Sequence, residues 1–138
     1  MSKLIINTDG AARGNPGPAA SSFIVRDSSG QIIVQEGVVL GETTNNVAEY
    51  TAVKLAFNKI VQEFSGLLPA DVEVLSDSKL VVEQLSGNFK IKNPNLKIIF
   101  DEVKLLEEKI GDVIYRYIPR GENSQADLLA NIALDEQF

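Results

Sequence analysis

Asp9, Glu49, Asp77 and Asp127 are the residues whose type and placement suit them best to do chemistry. Asp9 follows a strand-like run at residues 3–8, and Asp77 follows the apolar run 72–75 after a single serine. Both read as acids at strand exits. Glu49 and Asp127 sit beside Ala48 and Ala126, at the borders of apolar helical stripes. Taken singly, each acid has an ordinary structural reading as a turn former, a cap or a first-turn charge. Taken together they point to a cation. If the two strands are adjacent and parallel, their ends bring Asp9 and Asp77 together, and two carboxylates ~4 Å apart repel by roughly 4 kcal/mol at an effective dielectric near 20.

The composition narrows the choice of cation. The chain has 138 residues, no cysteine and no histidine. Thiolate catalysis, disulfides and sulfur-held zinc are excluded, and so is an imidazole base. Oxygen ligands alone suit hard ions such as Mg²⁺ or Mn²⁺. A pair of such ions ~3.5–4 Å apart can activate a water and stabilise the leaving oxygen in phosphodiester cleavage.

The length and a hydrophobic fraction of 44% fit one domain, 1–138, with a real core. A formal net charge of −6 argues weakly against general nucleic-acid binding, which usually shows a basic footprint. The apolar run at residues 4–6 is too short for a signal-peptide core, and no segment approaches the ~20 apolar residues of a membrane span. These features predict a cytoplasmic protein without a membrane partner.

The elements that must position the acids follow from periodicity. Residues 3–8 read as a strand that runs into a Gly/Pro loop. The runs SSFIVRD and QIIVQEGVVL make a hairpin around Ser28, Ser29 and Gly30. From residue 44 the period becomes helical, with Ala48, Ala52, Leu55, Ala56, Ile60 and Phe64 on one stripe and Thr43 or Thr44 as cap. A fourth strand covers 72–75, and a helix starts at Ser76 or Asp77. Another helix spans about 95–110, DVIYRYIP is a fifth strand, and SQADLLANIALD is a last helix. The order β-β-β-α-β-α-α-β-α predicts a mixed sheet with some parallel strands, whose ends are where sites form.

The stretches TDGAARGNPGPAA, TTNNVAEYTAV, LSDSKLVVEQL and IPRGENSQADLLANIAL, in that order and over nearly the whole chain, resemble the type 1 ribonuclease H family. The resemblance implies an α/β fold with a mixed five-stranded sheet, three antiparallel strands plus two parallel, flanked by helices. It implies a metal-dependent endonuclease that hydrolyses the RNA strand of RNA/DNA hybrids, with two Mg²⁺ or Mn²⁺ ions bound with substrate and 5′-phosphate products. By resemblance, Asp9, Glu49, Asp77 and Asp127 are the metal ligands. The chain is expected to act as a monomer on the hybrid, with double-stranded RNA as a second candidate substrate. A hybrid-binding module of the same fold, non-catalytic or weakly active, is the alternative function.

The resemblance also places Asn15, Asn45 and Asn46 along the substrate groove. Amides suit that task because the 2′-hydroxyl is both donor and acceptor. Glycines at 10, 14 and 17 allow close approaches and unusual backbone conformations, so the Gly10 loop can offer N–H groups to phosphate or ribose. Arg13, Thr44 and Ser78 are further candidate substrate contacts, as is Lys79. Asn123, four residues before Asp127, is a further candidate substrate contact and a candidate cap that steadies the site.

Two departures from the family stand out. Many members carry a histidine before the last helix, where this chain offers Arg120 in PRGEN. Arg120 can hold a scissile phosphate and joins the candidate catalytic set, but it cannot act as a base at neutral pH. The segment 87–95, GNFKIKNPN, is too short for the basic protrusion that some members use to grip the hybrid. Weak binding with a strong salt and metal dependence is the expected consequence.

Overall fold

A computed structural model describes residues 2–137. Strand β1 (Ser2–Ala12) lies at the centre of a five-stranded sheet with β2 (Gly17–Asp27), β3 (Ile32–Thr43), β4 (Ala70–Ser76) and β5 (Gly111–Tyr117). The order is β3-β2-β1-β4-β5. The first three strands are antiparallel neighbours, and β4 and β5 run parallel to β1. This is the expected mixed sheet.

Helices α1 (Asn45–Glu63), α2 (Lys79–Leu85), α3 (Pro94–Ile110) and α4 (Ser124–Gln137) flank the sheet. Alternation along the strands sorts the two faces. Leu4, Ile6, Phe23, Val25, Val72 and Val74 pack with Tyr50, Val53, Phe57 and Ile60 of α1 and Leu96, Val103 and Ile110 of α3 in one buried core. On the other face Ala20 meets Ala130 and Leu134 of α4. Small side chains there let α4 approach closely.

Several element boundaries differ from the sequence reading: β2 starts at Gly17, four residues before the SSFIVRD run, β3 runs on to Thr43, and β1 and α2 bear on the site. β1 runs through Asp9 and Gly10 to Ala12, because β2 supplies antiparallel partners along that length, from Asp9 opposite Ser22 to Ala12 opposite Ala19. α2 starts at Lys79 rather than at Ser76 or Asp77. Ser76 stays in the sheet between Thr8 and Tyr117, and the Ser78 hydroxyl accepts the Val81 N–H at 3.3 Å as the cap. Between α2 and α3 the described residues form no helix, in line with the short 87–95 segment.

Gly10 fixes how closely α1 crosses β1. A Cβ there would lie 2.3 Å from the Glu49 backbone nitrogen and 2.4 Å from the Ala48 carbonyl carbon. Neither backbone atom can move without shifting the helix that carries Glu49. Gly10→Ala is therefore expected to cost ~1–3 kcal/mol in urea unfolding, the range of overpacked sites. Gly66→Ala, with no neighbour within 4 Å, should be near neutral in the same measurement.

Candidate active site

The register of β1 and β4 creates the site. Their parallel pairing ends with Thr8 opposite Ser76, so Asp9 and Asp77, the next residue on each chain, emerge side by side. Beyond that point β1 continues only against β2, and the sheet opens. Asp9 thus stands within a strand on one side and at a strand exit on the other.

Thr44 starts α1 as its cap, its hydroxyl accepting the Val47 N–H at 3.2 Å. Five residues on, Glu49 faces the opening and accepts the Gly10 N–H through Oε1. Carboxylate oxygens of Asp9, Glu49 and Asp77 all lie within 4.8 Å of one another. Asp127, in the first turn of α4, stands outside that trio but close enough for its charge to act on Asp9.

Asp9 and Glu49 are each only 5% exposed. Burial pushes the Asp9 carboxyl up to about 7, aided by the charges of Asp77 and Asp127 and opposed by a hydrogen bond with Glu49. Burial likewise holds Glu49 well above the usual carboxylate range, with the Asp9 charge adding to it. Glu49 Oε2 is buried without a hydrogen-bond partner. An orphaned carboxylate oxygen beside two other carboxylates fits a hard divalent cation, because the set offers only oxygen donors and an excess of negative charge. Asp9, Glu49 and Asp77 would hold it, with Asp127 at the rim.

The acids form the floor of an open groove of about 520 Å³. Gly10, Asn15, Asn45, Asn46, Ser78 and Arg120 line it with them. The cap on α1 is taken by Thr44, which leaves the exposed Asn45 and Asn46 amides for the groove. Asn15 accepts the Asn45 N–H through Oδ1 at 3.0 Å and so ties the Gly14 turn, where φ is +103°, to α1.

Three candidates sit differently from the sequence reading. Thr44 spends its hydroxyl on the cap and does not line the groove. Arg13 turns away to α4, where its guanidinium meets Asp135 at 2.6 Å. Asn123 is 1% exposed and caps nothing with its side chain. Its Nδ2 donates to the Thr8 carbonyl at 2.8 Å and to Asp77 Oδ2 at 3.2 Å, so it steadies an acid rather than touching substrate.

Sequence reasoning missed Asn131. It lines the groove, and its Nδ2 donates to the Asp127 carbonyl at 2.9 Å and to Asp127 Oδ1 at 3.3 Å. The signal was available, since an asparagine four residues after an aspartate on one helix is a standard hydrogen-bonding pair.

Comparison with known proteins agrees with this geometry. A family model described as reverse transcriptase-like matches residues 7–133. A bifunctional protein of Mycobacterium tuberculosis is 38% identical over 134 residues, covering 96% of this chain but 36% of its own length. The chain therefore spans about a third of that relative. A ribonuclease H of Ruegeria is 32% identical over 151 residues, covering 97% of this chain and 92% of its own. Among solved structures, LC11-RNase H1 in complex with RNA/DNA hybrid superposes with a TM-score of 0.93 at 38% identity, covering 97% of this chain and 98% of that one. The sheet order, the four acids at its opening and these matches agree, and the chain belongs to the reverse transcriptase-like, type 1 ribonuclease H family.

Proposed function

We propose that this protein is a metal-dependent endoribonuclease that hydrolyses the RNA strand of RNA/DNA hybrids, with two Mg²⁺ or Mn²⁺ ions held by Asp9, Glu49, Asp77 and Asp127. The observation that carries it is the buried carboxylate trio with an unpartnered Glu49 oxygen at the floor of an amide-lined groove. A module that only binds hybrids needs the groove but has no use for buried, mutually repelling acids. When bound, the ions supply water activation and neutralise charge on the leaving oxygen.

The chain's own residues do the rest. Asn15, Asn45 and Asn46 offer amides that can both donate to and accept from a 2′-hydroxyl, which separates RNA from DNA. The exposed Arg120 faces the same groove and can pair two phosphate oxygens through its planar fork. No imidazole is present to take the proton of the attacking water, so the proton passes to solvent or to the substrate phosphate.

Cleavage of an end-labelled RNA strand in a hybrid, with duplex RNA and duplex DNA beside it, tests the reading. Hybrid RNA should be cut with Mg²⁺ or Mn²⁺ and left whole with chelator. Asp9→Asn should lower the rate by on the order of 10²-fold or more while hybrid binding survives. A folded wild-type protein that cuts no hybrid with either metal sinks the proposal.

Arg120→Ala should slow cleavage by about 10²-fold, the cost of losing one strong donor to a reacting phosphoryl group. Because the guanidinium stays charged throughout, the shape of the pH–rate profile should not change. A profile that shifts on this substitution would contradict a purely electrostatic role.

The acids also predict how stability depends on pH. Asp9 has an ordinary value of 3.8 and a folded value of about 7, so between those the folded state keeps a proton that the unfolded chain releases. Metal-free protein should therefore lose stability as pH rises from about 4 to about 7, and Glu49 acts in the same direction. Thermal melts in chelator should show this fall, and Mn²⁺ should reverse it at pH 8. In Asp9→Asn the fall should be shallower.

A further inference from the structure

Behind the carboxylate trio, on the sheet face that carries α4, lies a polar cavity that the proposed cleavage does not use. It is lined by Asn7, Arg26, Glu122, Asn123, Ser124 and Gln125. Asn7 and Arg26 share this face with Ser22, whose hydroxyl bonds the Ala126 carbonyl of α4, because strand alternation puts Ser22 and Arg26 on one side and Asn7 diagonally opposite. Neither residue touches the groove.

A directed chain of hydrogen bonds crosses from this cavity to the acids. Arg26 Nη1 donates to Asn7 Oδ1 at 3.1 Å, and Asn7 Nδ2 donates to Asn123 Oδ1 at 3.1 Å. Asn123 Nδ2 then donates to Thr8 O at 2.8 Å and to Asp77 Oδ2 at 3.2 Å. Arg26 also donates to the Gln125 side-chain oxygen, which anchors the guanidinium to α4.

The direction of the chain is not arbitrary. An asparagine amide can turn end for end at little cost unless its partners decide. Guanidinium can only donate, so Asn7 must present its oxygen to Arg26 and its NH₂ to Asn123. Asn123 must then present its NH₂ to Thr8 O and Asp77. Reversal of Asn123 would set its oxygen against a carbonyl and a carboxylate. We infer that Asn7 and Arg26 are positioning residues for Asp77, acting through Asn123 to keep that carboxylate aimed at the cation site. The inference rests on the metal-dependent reading above, and outer partners of metal ligands commonly carry such a role.

The test is calorimetric titration with Mn²⁺ alone, without substrate, on the wild type, Asn7→Leu, Asn7→Asp, Arg26→Met and Arg26→Lys. Asn7→Asp keeps the acceptor for Arg26 but loses the donor to Asn123. Each of Asn7→Leu, Asn7→Asp and Arg26→Met should bind Mn²⁺ about tenfold more weakly, the usual scale for lost outer partners of a ligand. Arg26→Lys, still donor-only, should recover most of the affinity. In hybrid cleavage Asn7→Leu, Asn7→Asp and Arg26→Met should lower kcat with KM little changed, since no groove residue is altered. Should Asn7→Leu fail to fold, Arg26→Met decides. Wild-type Mn²⁺ affinity in folded Arg26→Met and Asn7→Asp, with only a lower Tm, overturns the inference. A wild type that binds Mn²⁺ but cuts no hybrid, with the variants still weakened, overturns the cleavage reading and leaves the positioning role standing.

Discussion

Carboxylates crowded in a place poor in water are the constraint on which the structure turns. Asp9 and Glu49 are almost fully enclosed, and oxygens of both lie within 4.8 Å of an oxygen of Asp77. Burial raises the cost of each charge and mutual repulsion adds to it, so the metal-free pair holds protons that free carboxyls would release. Such an arrangement opposes folding. A cation reverses the sign of that interaction, which ties the stability of the fold to its chemistry.

The rest of the fold serves to hold this crowd in place. The β1–β4 register ends at Thr8 and Ser76, so two acids from distant parts of the sequence leave the sheet together. The missing side chain of Gly10 lets α1 lie against β1 and brings Glu49 over the same point. Ser22 donates to the Ala126 carbonyl, one residue before Asp127, and so fixes the first turn of α4. On the faces away from the acids, apolar packing of α1 and α3 against the sheet supplies the stability that the carboxylates subtract.

Much of this was readable from sequence because the acids fall where hydrophobic patterns break. Asp77 after the 72–75 run and Glu49 beside the Ala48–Ala52 stripe are visible without coordinates, as are the period changes that order the strands and helices. The full length of β1 was not, because Asp9 to Ala12 lacks a strand pattern of its own and is held by β2. Arg13 looked free for phosphate, yet its partner Asp135 lies 122 positions away. The Arg26–Asn7–Asn123 chain spans separations of 19 and 116 residues, and no local pattern announces contacts at such distances. Asn131 is the opposite case, a local pair with Asp127 that spacing alone could have revealed.

Asp9 and Glu49 hold protons until a cation displaces them. Mn²⁺ titration calorimetry near pH 6, repeated in buffers of different ionisation enthalpy, counts the protons released on binding. A net release of at least one proton per protein is expected at pH 6, shrinking as pH rises and reduced in Asp9→Asn, where only Glu49 still holds a proton through its burial. Binding with no proton release at pH 6 would mean that Asp9 and Glu49 are already ionised without metal, contrary to the proton retention that their burial imposes.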